Sequence, residues 1–307
     1  MGDITIEAKD LGKKFNGVWG VKSANFTAKE KELTVLAGPN GAGKTTTVRI
    51  LTTFYKPTKG KAEVLGMDVV KEYREIRKRI AYLPQDYNVP WEVTPEEYIT
   101  WTLVIRGYGI SQAKKEAKEW IELLGIKEIK DKPSRQLSGG EQRRVAVAAT
   151  LATGAEVIFL DEPTVGLDPE IKQVVWKVIR DIVVSGASIL LTTHDMREAQ
   201  VLADKVVLMN EGITIVEDEP MKLIRSLPYQ HKIIIEKTES LNFDELGPHI
   251  DLGDRVILYT KTRSEAVDMI KEINPCTKIF SMSYVELEDA YLYLISRGDH
   301  FVNRSPN

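Results

Sequence analysis

The chain reads as an α/β protein, with a core flanked by an antiparallel β subdomain and a helical subdomain and a small α+β domain at its C-terminal end. Three observations carry this. Apolar runs at Leu33–Ala37, 157–160 and 188–192 are short, and helical patterns follow them, as for parallel strands covered on both faces. The first thirty residues alternate instead (Ile4, Ile6, Ala8; Val21, Ala24, Phe26), which predicts antiparallel strands. From Pro90 to Pro133 the character changes to helix, with Ala113, Ala117, Trp120, Ile121 and Leu124 at helical spacing.

The balance of residues is that of a globular protein: 307 residues, 43% hydrophobic and 28% charged. The net charge of −3 gives no broad basic field, so a nucleic-acid partner is not expected. A single cysteine, Cys276, excludes an internal disulfide and suits a reducing compartment. The first residues lack the basic and apolar regions of a signal peptide, and Ile6 stands where a myristoylation signal needs Ser or Thr. The longest uncharged runs, near 145–155 and 182–193, fall short of the ~20 apolar residues that span a bilayer. A soluble chain is expected, reaching a membrane only through a partner.

In order, strands are expected at 61–65 and 80–83 with a charged helix between them, then a helical insert over about 90–135. A helix over 142–153 precedes the strand 157–160, and a helix over 170–184 precedes the strand 188–192. Strands at 205–209 and 213–216 flank the turn Asn210-Glu211-Gly212. The boundary of a first domain is read at 217. Residues 218–307 then hold strands near 232–236, 255–259 and 278–281 and helices over 264–273 and 284–295, a small module of the βαβ kind.

Function is concentrated in Gly38-Pro39-Asn40-Gly41-Ala42-Gly43-Lys44-Thr45-Thr46, which fits the pattern G-x-x-x-x-G-K-[ST] between an apolar strand and a helix. The glycines let backbone N–H groups turn inward on phosphate oxygens, and the helix start adds unpaired donors. Lys44 is then placed for β- and γ-phosphates and the Thr45 hydroxyl for Mg²⁺, so the core is predicted to be that of a phosphate-loop NTPase. Val157-Ile158-Phe159-Leu160-Asp161-Glu162 is an apolar strand ending in two carboxylates, with Asp161 read as a Mg²⁺ ligand and Glu162 as the base that polarises the attacking water. Leu137-Ser138-Gly139-Gly140-Glu141 makes a second glycine-rich helix start without a lysine. It fits a plain N-cap, and it also fits an anion site that closes over a nucleotide held by another copy.

With these motifs in this order, residues 3–216 resemble the nucleotide-binding subunit of an ABC (ATP-binding cassette) transporter. Residues 38–46 resemble its Walker A loop, residues 137–141 its LSGGQ signature and residues 157–162 its Walker B strand. The resemblance implies that Phe15 stacks on adenine, that Gln85 is the Q-loop glutamine reaching Mg²⁺ or the attacking water, and that His194 is the switch histidine that donates to the γ-phosphate. It also implies that Asp168, in Gly166-Leu167-Asp168, belongs to the D-loop at a subunit boundary. Two departures stand out. Glu141 replaces the usual glutamine, putting an extra carboxylate near a triphosphate, and Ala149-Thr150 stands where Arg-Ala is common. Residues 284–292 resemble the S-L-E-D-x-F-L segment closing ABC-2 type exporter ATPases, and fit equally an amphipathic helix turning Leu287, Ala290, Tyr291 and Ile295 to the core.

The expectation is an ATPase binding ATP and Mg²⁺ between two head-to-tail copies, or one copy and a homologous subunit. It would drive export through a separate membrane-embedded permease, from the inner face of the cell membrane, with the helical insert gripping that permease. The alternative is a soluble ABC ATPase acting on ribosomes or nucleic acid. A GTPase is disfavoured by the lack of Asn-Lys-x-Asp.

Overall fold

The computed structural model describes residues 3–87 and 89–296; residues 1–2 and 297–307, at the ends of the two predicted domains, lie outside the described residues. The chain divides into two compact units, one ending at Glu217 and one beginning at Asp218.

The first unit opens with β1 (Ile4–Phe15) and β2 (Val18–Lys29), paired antiparallel. Their alternating residues place Ile6, Ala8, Val21, Ala24 and Phe26 inside and leave charged neighbours in water. Then come β3 (Leu33–Ala37), α1 (Lys44–Leu51), β4 (Lys59–Val64), β5 (Met67–Asp68), α2 (Tyr73–Arg79) and β6 (Ile80–Leu83). The helical insert follows as α3 (Pro95–Ile105) and α4 (Ile110–Leu123). A capping box between Thr94 and Glu97, with Pro95 in the first turn, starts α3. The helix α5 (Gly139–Leu151) packs on α3, on α4 and on β6, so it bridges insert and core. It begins at Gly139 instead of the expected 142, because Ser138 and not Gln142 caps it.

The core closes with β7 (Val157–Asp161), α6 (Pro169–Val184), β8 (Ser188–Thr193), α7 (Met196–Leu202), β9 (Lys205–Asn210) and β10 (Ile213–Asp218). One ten-stranded sheet runs β5-β4-β1-β2-β10-β9-β3-β8-β7-β6. Its β6, β7, β8, β3 and β9 are parallel neighbours, and every residue of β3, β7 and β8 is buried. That burial on both faces is why these runs are continuously apolar. The loops after β3, β7 and β8 leave the same edge of this parallel sheet, which is where a ligand meets an open α/β fold.

The second unit contains α8 (Pro220–Arg225), β11 (His231–Glu236), α9 (Phe243–Leu246), β12 (His249–Asp251), β13 (Arg255–Thr260), α10 (Arg263–Ile273), β14 (Ile279–Tyr284) and α11 (Leu287–Ile295). Its sheet order is β12-β13-β11-β14, with every pair antiparallel. The expected βαβ unit, β13-α10-β14, is therefore split by β11, which pairs with both of its strands. Ile233, Ile235, Val256, Leu258, Ala266 and Ile273 form the core between sheet and α10.

Candidate functional site

The loop from Gly38 to Gly43 joins the buried strand β3 to α1, and Lys44 is the first residue of that helix. Gly43 caps α1 at φ 98°, and a Cβ there would stand 2.8 Å from the Gly20 carbonyl, so only glycine fits. The Lys44 ammonium is buried, donates to the carbonyls of Gly38 (2.8 Å) and Pro39 (3.0 Å), and stands 3.9 Å from Glu162 Oε1. Burial pushes its pKa down, against the pull of Glu162 and Asp161. Gly20, Asn40, Gly41, Gly43, Lys44, Thr45, Thr46, Gln85 and Glu162 line one cleft of about 360 Å³.

Asp161 ends β7, fully buried behind Thr45, which lines this cleft. Its Oδ1 accepts from the hydroxyls of Thr45 (3.1 Å) and Thr192 (2.5 Å). Its Oδ2 is buried without a hydrogen-bond partner. Burial raises its pKa, and the two threonine hydroxyls oppose that rise. A buried, unpaired carboxylate oxygen beside a hydroxyl, below a phosphate-type loop, is the oxygen donor set that a hard divalent cation takes.

Glu162, the next residue, is 6% exposed and has φ 50°, an uncommon conformation for a residue with a side chain. Thr192 holds it there: the Glu162 N–H donates both to Thr192 O (3.2 Å) and to Thr192 Oγ1 (3.0 Å). Its carboxylate lies between two further groups. Oε1 is 3.1 Å from His194 Nδ1, and Oε2 accepts from Gln85 Nε2 at 3.3 Å. The glutamine thus turns its amide nitrogen toward the carboxylate. His194 follows β8 directly and is fixed from behind, because Asp195 caps α7 by accepting from the N–H groups of Arg197 and Glu198.

Phe15 closes β1 with a half-exposed ring; a Cβ on Gly20 would lie 3.0 Å from that ring and 3.3 Å from Thr46 Oγ1. The ring therefore flanks the loop, backed edge-on by Tyr55 at 5.1 Å. The structure thus lines one cleft with residues of the 38–46 loop, Gln85 and Glu162, with Asp161 bonded to Thr45, His194 against Glu162 and the Phe15 ring beside Gly20.

Ser138, Gly139, Gly140 and Asp168 are not among the described residues lining it. They form a second group. A Cβ on Gly140 would lie 3.1 Å from the Gly166 carbonyl, so the turn at 138–140 meets the loop 166–168 closely. Asp168 occupies the N-cap position of α6 but makes no side-chain cap bond and is exposed. Ser138 accepts from the Glu141 N–H (3.2 Å), and Glu141 Oε2 accepts from the Ser138 N–H (2.7 Å). The Glu141 carboxylate is thereby folded back as one half of a capping box, and that backbone hydrogen bond lowers its pKa.

Two residues of this region carry no motif. Thr192 serves both carboxylates, and the only hint of it in the sequence is Thr192-Thr193 interrupting an apolar strand. Arg143 is buried on α5 beneath the cleft, and nothing in Glu141-Gln142-Arg143-Arg144 distinguishes it from a surface arginine.

Residues 21–165 match the family described as ABC transporter. The daunorubicin/doxorubicin resistance ATP-binding protein DrrA of Streptomyces peucetius is 36% identical over 222 residues, covering 72% of this chain and 67% of that protein. The daunorubicin resistance ATP-binding protein DrrA2 of Streptomyces coeruleorubidus is 34% identical over 306 residues, covering 98% of this chain and 95% of that protein. Among solved structures, cbiO1 from Clostridium perfringens, described as part of the ABC transporter complex cbiONQ, superposes with a TM-score of 0.64 at 27% identity, over 73% of this chain and 92% of that one.

Proposed function

Because the chain belongs to the ABC transporter family as an ATP-binding subunit, we propose that it hydrolyses ATP in a head-to-tail pair and so drives export through a separate membrane-embedded permease. The observation that carries this is the division of the site. One cleft holds Lys44, Gln85 and Glu162, with Gln85 and His194 both within hydrogen-bond range of the Glu162 carboxylate, while the glycine turn at 138–140 belongs to a different group. Two copies facing each other bring the second group of one onto the cleft of the other.

Residues 1–217 then form the ATP-binding domain and 218–307 an accessory domain. Phe15 stacks on adenine. The N–H groups of residues 38–46 cradle phosphates, and Lys44 exchanges the Gly38 and Pro39 carbonyls for phosphate oxygens. Mg²⁺ would be held by Thr45 and Asp161, with Gln85 beside it, and would supply neutralisation of phosphate charge. Glu162 takes a proton from the attacking water while His194 keeps its carboxylate aimed and faces the γ-phosphate. Ser138, Gly139, Gly140 and Asp168 contact the nucleotide of the opposite copy.

No helix among the described residues is long and apolar enough to cross a membrane. The insert supplies a docking surface for the permease: Trp91, Trp101 and Ile105 are 76%, 55% and 84% exposed, and Trp101 and Ile110 border a groove of about 550 Å³. Such docking places the pair at the inner face of the membrane. The two relatives named above are resistance ATP-binding proteins, not ribosome- or nucleic-acid-acting ATPases, which favours transport over the alternative.

The deciding experiment is Glu162→Gln. Steady-state hydrolysis should fall at least ~100-fold while ATP binding persists and Mg-ATP converts the protein to a dimer in size-exclusion chromatography. Undiminished hydrolysis removes Glu162 from the role of base, and a monomer at saturating Mg-ATP removes the shared site.

A further inference from the structure

Arg143 lies in the second turn of α5, five residues beyond Ser138, and is 5% exposed. Its guanidinium is saturated by main-chain carbonyls. Nε donates to Pro163 O (3.2 Å), Nη1 to Pro84 O and Gln85 O (both 3.2 Å), and Nη2 to Asp161 O (2.6 Å) and to Glu162 O. No carboxylate among the described residues lies within ion-pair distance of it. A buried cation without a carboxylate partner is costly, and burial pushes its pKa down. Five carbonyl dipoles and the ring of Tyr87, 4.9 Å from the guanidinium carbon, offset that cost.

The carbonyls come from the two backbone segments that aim the hydrolytic groups. Pro84 and Gln85 carry the amide that touches Glu162 Oε2, and 161–163 carry Asp161 and Glu162 themselves. The left-handed turn at Glu162 leaves both its carbonyl and that of Asp161 on the same guanidinium. At the other end of the arrangement, Tyr87 Oη donates to Gly139 O at 3.3 Å. The backbone under Glu162 and the loop carrying Gln85 thus meet on one planar, five-donor side chain, and Tyr87 links that side chain to the glycine turn at 138–140. A lysine ammonium, with three donors and no plane, cannot span these five acceptors.

We propose that Arg143 is a positioning residue that ties the glycine turn at 138–140 to the carboxylate of Glu162, so that each copy's own ATP site is coupled to the surface it presents to the other copy's nucleotide. The inference rests on the reading of Glu162 as the base and of 138–140 as the trans-acting turn. When the turn engages a phosphate across the dimer, α5 is held, and the guanidinium holds the backbone beneath Glu162 and Gln85 in register. When it is free, the same link lets both relax together. The coupling runs from the Gly139 carbonyl through the Tyr87 hydroxyl and ring to the guanidinium, and from there through hydrogen bonds to the backbone of Gln85 and Glu162.

The experiment uses the full chain with Arg143→Lys and, separately, Tyr87→Phe, which keeps the ring over Arg143 and removes only the hydroxyl bond to Gly139. Read-outs are kcat, the Kd of a fluorescent ATP analogue, and the ATP concentration that drives dimerisation in a Glu162→Gln background. Arg143→Lys should lower kcat at least ~10-fold with the analogue's Kd within about threefold, and should raise the ATP requirement for dimerisation at least ~10-fold. Tyr87→Phe should show the same pattern at about three- to fivefold. Combining the two should give less than the product of the single effects. Normal kcat and dimerisation in Arg143→Lys overturn the proposal, as does a loss of analogue binding in proportion to kcat, which is what a merely structural role gives. Should Arg143→Lys not fold, Tyr87→Phe decides alone, and unchanged dimerisation there overturns it. Hydrolysis surviving in Glu162→Gln would instead defeat the reading of the base, independently of either variant.

Discussion

The Nδ1 atom of His194 stands 3.1 Å from Oε1 of Glu162, and the two side chains differ sharply in exposure, 45% against 7%. The histidine is therefore the water-facing member of the pair, and the glutamate is the sheltered one whose direction it sets. Removing the imidazole frees Glu162 Oε1 to turn toward Lys44, already 3.9 Å away. His194→Ala should accordingly lower kcat by about 10²- to 10³-fold, since both an aligned base and a donor to the transferring phosphoryl group are lost. ATP affinity should change by less than about threefold. Stopped-flow binding and steady-state turnover separate the two, and an equal loss in both would place His194 in nucleotide binding instead.

Thr192 makes a second, independent test of how the carboxylates are held. Its hydroxyl donates to Asp161 and accepts the N–H of the left-handed Glu162. Thr192→Val keeps the shape and takes from each of these two groups one of its two hydrogen bonds, the other being to Thr45 or to the Thr192 carbonyl, at about 1 kcal/mol each. The variant should melt several degrees lower and need about five- to tenfold more Mg²⁺ for half-maximal hydrolysis. A normal Mg²⁺ requirement would show that Asp161 is aimed without it.

Much of the site is legible in the sequence because it rests on local geometry. A glycine loop between an apolar strand and a helix builds its own nest of N–H groups, and Asp161 and Glu162 end a strand whose parallel neighbours are equally apolar. What stays hidden is convergence. Arg143 sits on a helix whose following residues, Val145 to Ala149, are all buried, so there is no amphipathic period to mark one face as inner. Its five partners are main-chain carbonyls far apart along the chain, which no residue type announces. Glu141 illustrates a different difficulty. Ser138-x-x-Glu141 is also a capping-box pattern, and the carboxylate read as a burden on a triphosphate is spent on its own helix start. In the second unit strands are expected at about the right places, but strand order depends on antiparallel backbone pairing that short apolar runs do not encode. That is how β11 comes to lie between β13 and β14.

The segment at 284–292 has a structural explanation of its own. Asp289 is 2% exposed; its Oδ2 accepts from Lys232 Nζ (2.8 Å) and from the Glu286 N–H (2.7 Å), and its Oδ1 from Tyr259 Oη (2.8 Å). One carboxylate thus caps α11 and ties it to β11 and β13. Asp289→Ala leaves the buried Lys232 ammonium with Glu286 alone, 3.1 Å away, a change of about 2–3 kcal/mol. Hydrogen exchange should show protection lost across 231–291 and retained in β3, β7 and β8. Unchanged protection in β11 would remove Asp289 from the centre of that unit.

The same cluster should make the second unit sensitive to alkali. Burial alone would lower the Lys232 pKa, but the hydrogen bond and charge of Asp289, aided by Glu286, more than offset it and the net shift is upward. Tyr259 is pushed well above its ordinary value by burial first and then by the Asp289 charge and hydrogen bond. Both groups therefore keep their protons in the folded state to a higher pH than in the unfolded chain, where they leave near pH ~10 to 10.5. Below that range the folded and unfolded states bind the same number of protons here, and the cluster's contribution is complete. Above it the unfolded state binds fewer, so stability falls as pH rises, by up to about 1.4 kcal/mol per pH unit for each group. Denaturant melts of the second unit, followed by hydrogen exchange or by tyrosinate absorbance, should be flat from pH 8 to ~9.5 and decline steeply beyond it. In Tyr259→Phe, which removes one of the two titrating groups, the decline should be about half as steep. A unit that melts identically at pH ~9 and ~11 would mean that neither proton is held by the fold.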